Sequence, residues 1–207
     1  MKDNPKVKIE KERTIHTYAE LWHTSKCLLK KGQDNEAASF HQFMASLVFT
    51  AFTLEAYLNH IGAKIFTCWN DLERLSPKEK INVIAEKLSV QVDYGKRPWQ
   101  IMKKLFGFRN DIAHGKSVEI KSEEVIPLIN HTEDIHDSLR TSWEMFCTER
   151  KAIKAREDVE NIIKTIHKAS GIKDDYPFVF GLNFGSKEGW GQIFIHDNYV
   201  TIKDLTP

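Results

Sequence analysis

A long apolar segment, residues 35–66, constrains the fold more than any other part of this 207-residue chain. Its apolar side chains occupy much of the circumference of a helix, which is the pattern of a helix packed on several sides. The most apolar part, residues 43–58, is interrupted by serine, threonine and Glu55, and it falls short of the ~20 apolar residues that span a bilayer. We therefore expect a buried central helix and no membrane association.

Amphipathic spacing and helix-end signals place further helices on both sides of this segment. The clearest start is Ser76-Pro77-Lys78-Glu79, in which the serine is the N-cap, the proline lies in the first turn and the glutamate closes a capping box. Gly32 and Gly115 are typical helix stops. The additional helices that we predict cover residues 13–31, 77–88, 98–114 and 122–169, the last as one continuous helix.

The periodicity changes from helical to alternating after Gly171. Apolar residues at every second position from 178 to 184 would share one face of a strand, and Asp197-Asn198 suits a tight hairpin turn. The predicted fold class is mainly α, an antiparallel helical bundle with a small C-terminal antiparallel β-sheet. We divide the chain into a flexible lead-in, a helical domain and a C-terminal hairpin or meander, which are residues 1–12, 13–170 and 171–207.

Composition argues against several classes of protein. The three cysteines are far apart and odd in number, so neither a disulfide framework nor a zinc ribbon is indicated. The charged N-terminal segment lacks the apolar stretch of a secretory signal, and a cytoplasmic location is expected. The sequence has no glycine-rich phosphate loop, no Gly-x-Ser-x-Gly elbow and no His-Glu-x2-His motif, and we expect neither a metal nor a cofactor.

The densest group of reactive side chains is Phe108-Arg109-Asn110-Asp111-Ile112-Ala113-His114-Gly115. An imidazole transfers protons and a guanidinium holds a charged phosphate, so Arg109 and His114 are the minimum equipment for metal-free phosphodiester cleavage. Residues 96–121 around them carry seven cations and two carboxylates, in a chain whose net charge is only +1. That local excess favours a polyanionic ligand, although a solvated helix face would give the same pattern.

The spacing of Arg109 and His114 sets a geometric condition. Residues five apart are separated by about 140° around an ideal helix, so the two side chains would not share one face of a straight helix. Either the helix distorts near Asn110 and Asp111, whose side chains compete for backbone hydrogen bonds, or a phosphate binds between two copies of the chain. The sequence leaves both solutions open.

The segment Arg-Asn-Asp-Ile-Ala-His-Gly at residues 109–115 resembles the Arg-Asn-x3-His motif of HEPN domains. These are the helical domains of many prokaryotic toxins, abortive-infection proteins and RNA-guided effector nucleases. Leu54-Glu55-Ala56-Tyr57-Leu58-Asn59 is similar to the second-helix signature of that family, and residues 76–80 resemble the segment that precedes the motif. The resemblance covers roughly residues 13–147 and excludes the C-terminal strands.

The resemblance implies a metal-independent endoribonuclease that works as a homodimer on single-stranded RNA. In that reading His114 is the general acid and base that activates a ribose 2′-hydroxyl, Arg109 stabilises the transition state, and Asn110 orients the pair. RNA supplies this hydroxyl and DNA does not. A role in phage defence or in a toxin system, with an antitoxin or a sensor protein as partner, fits the same family.

Other residues are candidates for support or for RNA binding. Glu55 lies in an apolar helix and needs a cationic partner, for which Arg109 or His114 is suitable. Asp111 is a second supporting candidate. The lysines next to the motif are the candidates for RNA binding: Lys103, Lys104 and Lys116.

A structural interpretation of the same residues remains open. Arg109 could form an ion pair with Glu55 or Asp111 that only holds helices together, and His114 could be a helix cap that suits the helix dipole. The alternative function is therefore a non-catalytic HEPN-like module that binds RNA, a nucleotide or a protein partner.

Overall fold

The computed structural model describes residues 15–121, 123, 139–173, 177–178, 190–195 and 198–203. They form six α-helices, a short 3-10 helix and a two-stranded ladder. In chain order these are α1 (Thr17–Asp34), α2 (Ser39–Ile65), α3 (Trp69–Leu72), α4 (Pro77–Lys87), α5 (Ile101–Ala113), the 3-10 helix (Glu144–Phe146), α6 (Glu149–Ser170), β1 (Trp190–Ile195) and β2 (Asn198–Lys203). The mainly helical fold is confirmed. The predicted lead-in lies outside the described residues.

Helix α2 is the centre of the fold, as its apolar circumference predicts. It packs against α1, α3, α4, α5 and α6. Leu47, Leu54 and Tyr57 of α2 have no exposed surface. Polar side chains that interrupt the apolar surface of α2 find hydrogen-bond partners inside the protein. The buried hydroxyl groups of Thr50 and of Ser25 on α1, for example, share a hydrogen bond of 2.7 Å. No helix in the described part of the chain is long and apolar enough to cross a membrane.

The close packing of α3 on the end of α2 depends on Gly62. The ring of Trp69 lies so near that a Cβ atom on Gly62 would be 2.4 Å from it. Trp69 is only 5% exposed, so its ring has little room to move away. Glycine at this position therefore permits a contact that other residues would disrupt.

The predicted start of α4 is confirmed in detail. Ser76 is the N-cap, and its Oγ accepts a hydrogen bond from the backbone N–H of Glu79 at 3.4 Å. The Glu79 carboxylate in turn accepts from the backbone N–H of Ser76 at 2.8 Å. This reciprocal pair satisfies two of the N–H groups that a helix start leaves without partners.

The prediction of one continuous helix over residues 122–169 is wrong in the part that precedes α6. The backbone N–H and the hydroxyl of Thr141 both donate to the Glu144 carboxylate at 2.7 Å, and this turn leads into the 3-10 helix. Thr148 then begins α6 as its N-cap. Local bonds from side chains to backbone replace the helical ladder here. The part of this prediction before residue 139 lies almost wholly outside the described residues.

The C-terminal region is described only in part. Strands β1 and β2 pair antiparallel, with Trp190 opposite Lys203 and Ile195 opposite Asn198. Phe178, which the alternating pattern assigns to a strand, lies in a turn instead and packs on Trp22 of α1, with ring centroids 4.8 Å apart. Packing on the helical domain thus overrides the alternation at this residue. The rest of the predicted sheet lies outside the described residues and stays a prediction.

Candidate active site at the end of α5

Helix α5 stays regular through the motif. It is α-helical from Ile101 to Ala113, and His114 is its C-cap residue, with a backbone N–H that donates to the Asn110 carbonyl at 2.8 Å. The predicted alternative of a distorted helix near Asn110 and Asp111 is therefore wrong for this chain. Arg109 and His114 leave the helix on different sides, as the ideal spacing requires.

Arg109 points towards the body of the protein. Its Nη2 donates to Oε2 of Glu55 on α2 at 2.7 Å, and the two side chains are only 19% and 29% exposed. The guanidinium also lies over the ring of Phe106, 5.5 Å from the ring centroid. Of the two partners considered for Glu55, the structure provides Arg109.

The pair with Glu55 leaves part of the guanidinium unused. Arginine carries five N–H donors, and the Nε of Arg109 is buried without a hydrogen-bond partner among the described residues. Arg109 is thus positioned by one carboxylate. Because Nε is buried, the donors left for an acceptor that approaches from solvent are those of Nη1, which makes no hydrogen bond with a described residue. Phosphate is a suitable acceptor because charge-assisted hydrogen bonds from a guanidinium to its oxygens are strong.

The other polar residues of the motif face solvent. Asn110, Asp111 and His114 are all exposed. Lys103 and Asn110 are seven residues apart, about two helical turns, so they share one exposed side of α5 with His114 at its end. The His114 ring makes no hydrogen bond or ion pair with any residue that the structure describes. An imidazole in this position is available to a ligand that approaches from solvent.

The basic segment around the motif divides into paired and unpaired cations. Four of its cations are in ion pairs: Lys96 with Asp93, Arg97 with Asp158, Arg109 with Glu55, and Lys121 with Glu119. The three lysines predicted to bind RNA are exposed and have no carboxylate partner among the described residues. They do not form one cluster, because Lys103 and Lys104 are about 100° apart on α5 and Lys116 follows its end.

Sequence reasoning missed a second group of cations on α6. Arg150, Lys151 and Lys154 line a groove of about 490 Å³ between α5 and α6, together with Lys104. Their spacing of three and four residues puts them near one another on the helix surface, and that is the signal in the sequence. This signal is weak because the segment also carries carboxylates and therefore resembles an ordinary solvated helix.

A group of histidines near α1 and α2 is structural. His60 packs against the rings of His16 and Tyr18, with centroids 5.3 and 4.8 Å away. Burial, with nearby Lys64 and His16, lowers the pKa of His60 to about 4. No three His, Cys, Asp or Glu side chains among the described residues lie where they could hold a metal ion.

Comparison of the chain with protein-family models, with curated proteins and with solved structures finds no match. The assignment of function therefore depends on the residues and their geometry.

Proposed function

We propose that this chain is a HEPN-like antiparallel helical bundle that cleaves single-stranded RNA as a metal-independent endoribonuclease. The observation that carries the proposal is the arrangement at the end of α5. His114 is exposed and lacks a partner among the described residues, whereas Arg109, five residues earlier, is held by Glu55 through Nη2 and keeps Nη1 without a partner among the described residues. A proton-transfer group and a phosphate-binding group thus belong to one rigid helix.

The chemistry needs only the RNA and these side chains. The His114 imidazole takes the proton of a ribose 2′-hydroxyl, and the oxygen attacks the adjacent phosphorus atom. The bond from phosphorus to the 5′-oxygen breaks, and the imidazolium returns the proton to that oxygen. The products are a 2′,3′-cyclic phosphate and a 5′-hydroxyl. Arg109 stabilises the negative charge that develops on the phosphoryl oxygens, and Asn110 orients the pair.

The regular helix makes a homodimer part of the proposal. Because Arg109 and His114 leave α5 on different sides, we infer that a complete site combines Arg109 of one copy with His114 of the other in a shared cleft. An isologous contact between two α5 ends would supply two such sites. A cytoplasmic role in phage defence or in a toxin system, with an antitoxin or a sensor protein as partner, belongs to the same proposal.

The ion pair between Arg109 and Glu55 favours a second candidate. A guanidinium that is 19% exposed and bound to a carboxylate could serve only to join α5 to α2. The chain would then be a non-catalytic helical module that binds RNA, a nucleotide or a protein partner. The two candidates differ in whether covalent bonds of RNA are broken.

The test is cleavage of a single-stranded RNA in the presence of a metal chelator. The proposal predicts cleavage, product ends with a 2′,3′-cyclic phosphate and a 5′-hydroxyl, and resistance of the matching all-deoxy strand. RNA that stays intact under these conditions would favour the binding module. Cleavage of the deoxy strand would exclude attack by a 2′-hydroxyl, since that strand has none.

A further inference from the structure

The groove between the first turns of α5 and α6 is lined by cations for which the motif at the end of α5 gives no role. Four cations line it, Lys104 from α5 and Arg150, Lys151 and Lys154 from α6. At about 490 Å³ it has the size of a ligand site, although it is open to solvent.

The positive charge of the groove is largely uncompensated. Lys104, Arg150 and Lys154 have no carboxylate partner among the described residues. The carboxylate in the lining is Asp158, which is 3% exposed and accepts a hydrogen bond from Nε of Arg97 at 2.7 Å. Asp158 is therefore already neutralised from outside the groove.

Three of these cations lie where they oppose a helix dipole. Arg150 and Lys151 lie in the first turn of α6 and Lys104 lies in the first turn of α5. Cations near a helix N-terminus oppose the helix dipole, which favours negative charge there. An anion in the groove would interact favourably with the side chains and with both dipoles.

The wall of the groove also contains an aromatic ring. Phe146 is partly exposed and lines the groove, with the Lys151 ammonium group 5.8 Å from its centroid. Cations beside an aromatic face are the combination with which proteins hold the backbone and bases of single-stranded nucleic acid. Inorganic anions would need the cations but not the ring.

We propose that this groove binds the phosphodiester backbone of single-stranded RNA and leads the strand towards His114. The inference rests on the proposed ribonuclease function and extends it. Lys104 and His114 are ten residues apart, about 15 Å along α5, so one strand can contact both. Lys104 would then bind RNA together with the three cations of α6, and not only with Lys103 and Lys116.

The test is binding of a 2′-O-methyl RNA, which has no free 2′-hydroxyl and cannot be cleaved by this chemistry. A K104Q/R150Q/K154Q variant should bind it about tenfold more weakly in fluorescence anisotropy. If each cation contacts one phosphate, the slope of log affinity against log salt should become less steep by about 2. The control variant K87Q/K168Q/K173Q removes the same charge at exposed positions that do not line the groove, and it should bind like wild type.

Two further comparisons distinguish a failure of this inference from a failure of the proposed function. His114→Ala should fail to cleave unmodified RNA, and its slope of log affinity against log salt for the 2′-O-methyl RNA should match that of wild type, because the substitution removes none of the groove cations. If it still cleaves, the ribonuclease assignment to His114 is wrong, even if the groove variant has lost binding.

Equal affinity and equal salt slope in the two triple variants would overturn the groove inference, even if His114→Ala has lost cleavage. The same conclusion would follow if ATP or polyglutamate raised the melting temperature of wild type but not of the groove variant while RNA affinity stayed unchanged. The groove would then serve a nucleotide or an acidic protein segment.

Discussion

Arg109 and His114 are five residues apart on one helix, but their surroundings are opposite. Arg109 is 19% exposed, bound to Glu55 of α2 and stacked over Phe106, whereas His114 is exposed and touches no partner among the described residues. The difference follows from the regularity of α5, which turns one residue inwards and the other outwards. A motif that is contiguous in sequence is thus divided between the protein body and its surface, and in the proposed homodimer a second copy would bring its parts together.

The largest expected effect concerns the exposed residue. His114→Ala should reduce the rate of RNA cleavage by about 10²–10⁴-fold, since it removes the proton-transfer group. Its free energy of unfolding should change by less than about 0.5 kcal/mol because the side chain is exposed and makes no hydrogen bond or ion pair with the described residues. Cleavage assays in chelator and urea denaturation measure the two quantities. His41→Ala, another exposed histidine, is the control, and a similar loss in that variant would contradict a specific role for His114.

Two helical glycines, Gly62 in the interior and Gly107 on the surface, should respond differently to substitution by alanine. Gly62→Ala forces a Cβ against Trp69 and should lower the free energy of unfolding by about 1–3 kcal/mol. Gly107→Ala meets no atom within 4 Å and should raise it by up to about 1 kcal/mol, because alanine is the better helix former. Urea denaturation of both variants checks this. A neutral Gly62→Ala would mean that the contact of α2 with α3 is looser than described.

The ion pair of Arg109, the partly buried residue of the two, provides a third contrast. Glu55→Gln should lower the free energy of unfolding by about 1–2 kcal/mol, since Arg109 keeps its partly buried charge and loses its carboxylate. The matched control is Glu119→Gln, which breaks an ion pair with Lys121 whose side chains are 77% and 81% exposed and should cost less than about 0.5 kcal/mol. If the two substitutions have equal effects, Glu55 does not anchor Arg109.

The smallest effect is a dependence of stability on pH. Burial lowers the pKa of His60 from about 6.5 to about 4, so between these values the unfolded chain binds more protons than the folded one. Stability should therefore fall as the pH falls from 6.5 to 4, by about 1 kcal/mol from this residue once its partial exposure is considered. His60→Gln should lose less stability over this range than wild type. An equal loss would assign the dependence to other groups.

Local signals predicted much of the fold. The capping box of Ser76 and Glu79 and the apolar circumference of α2 depend on neighbours in sequence, and the structure has both. The break before α6 was signalled in the same way, because Thr141 and Glu144 have the spacing of a capping box. Trp143 and Phe146 continue a helical spacing across this break, and that spacing favours a continuous helix.

The rest depended on contacts between distant parts of the chain. The sequence indicated that Glu55 needs a cation, but the choice of Arg109 over His114 follows from how α5 packs on α2. The groove depends even more on contacts between distant segments, since Lys104 and Arg150 are 46 residues apart and meet only when α5 and α6 pack. Neither segment alone distinguishes a binding site from a solvated helix face.

The central claim, that Arg109 of one copy works with His114 of the other, is tested most directly by mixing two inactive variants. Arg109→Ala and His114→Ala should each cleave RNA poorly alone. After equal mixing and subunit exchange, half of the dimers are mixed and each has one intact site, so about a quarter of the wild-type rate should return. If the mixture stays as inactive as its components although mixed dimers form, the two residues do not work across a shared cleft.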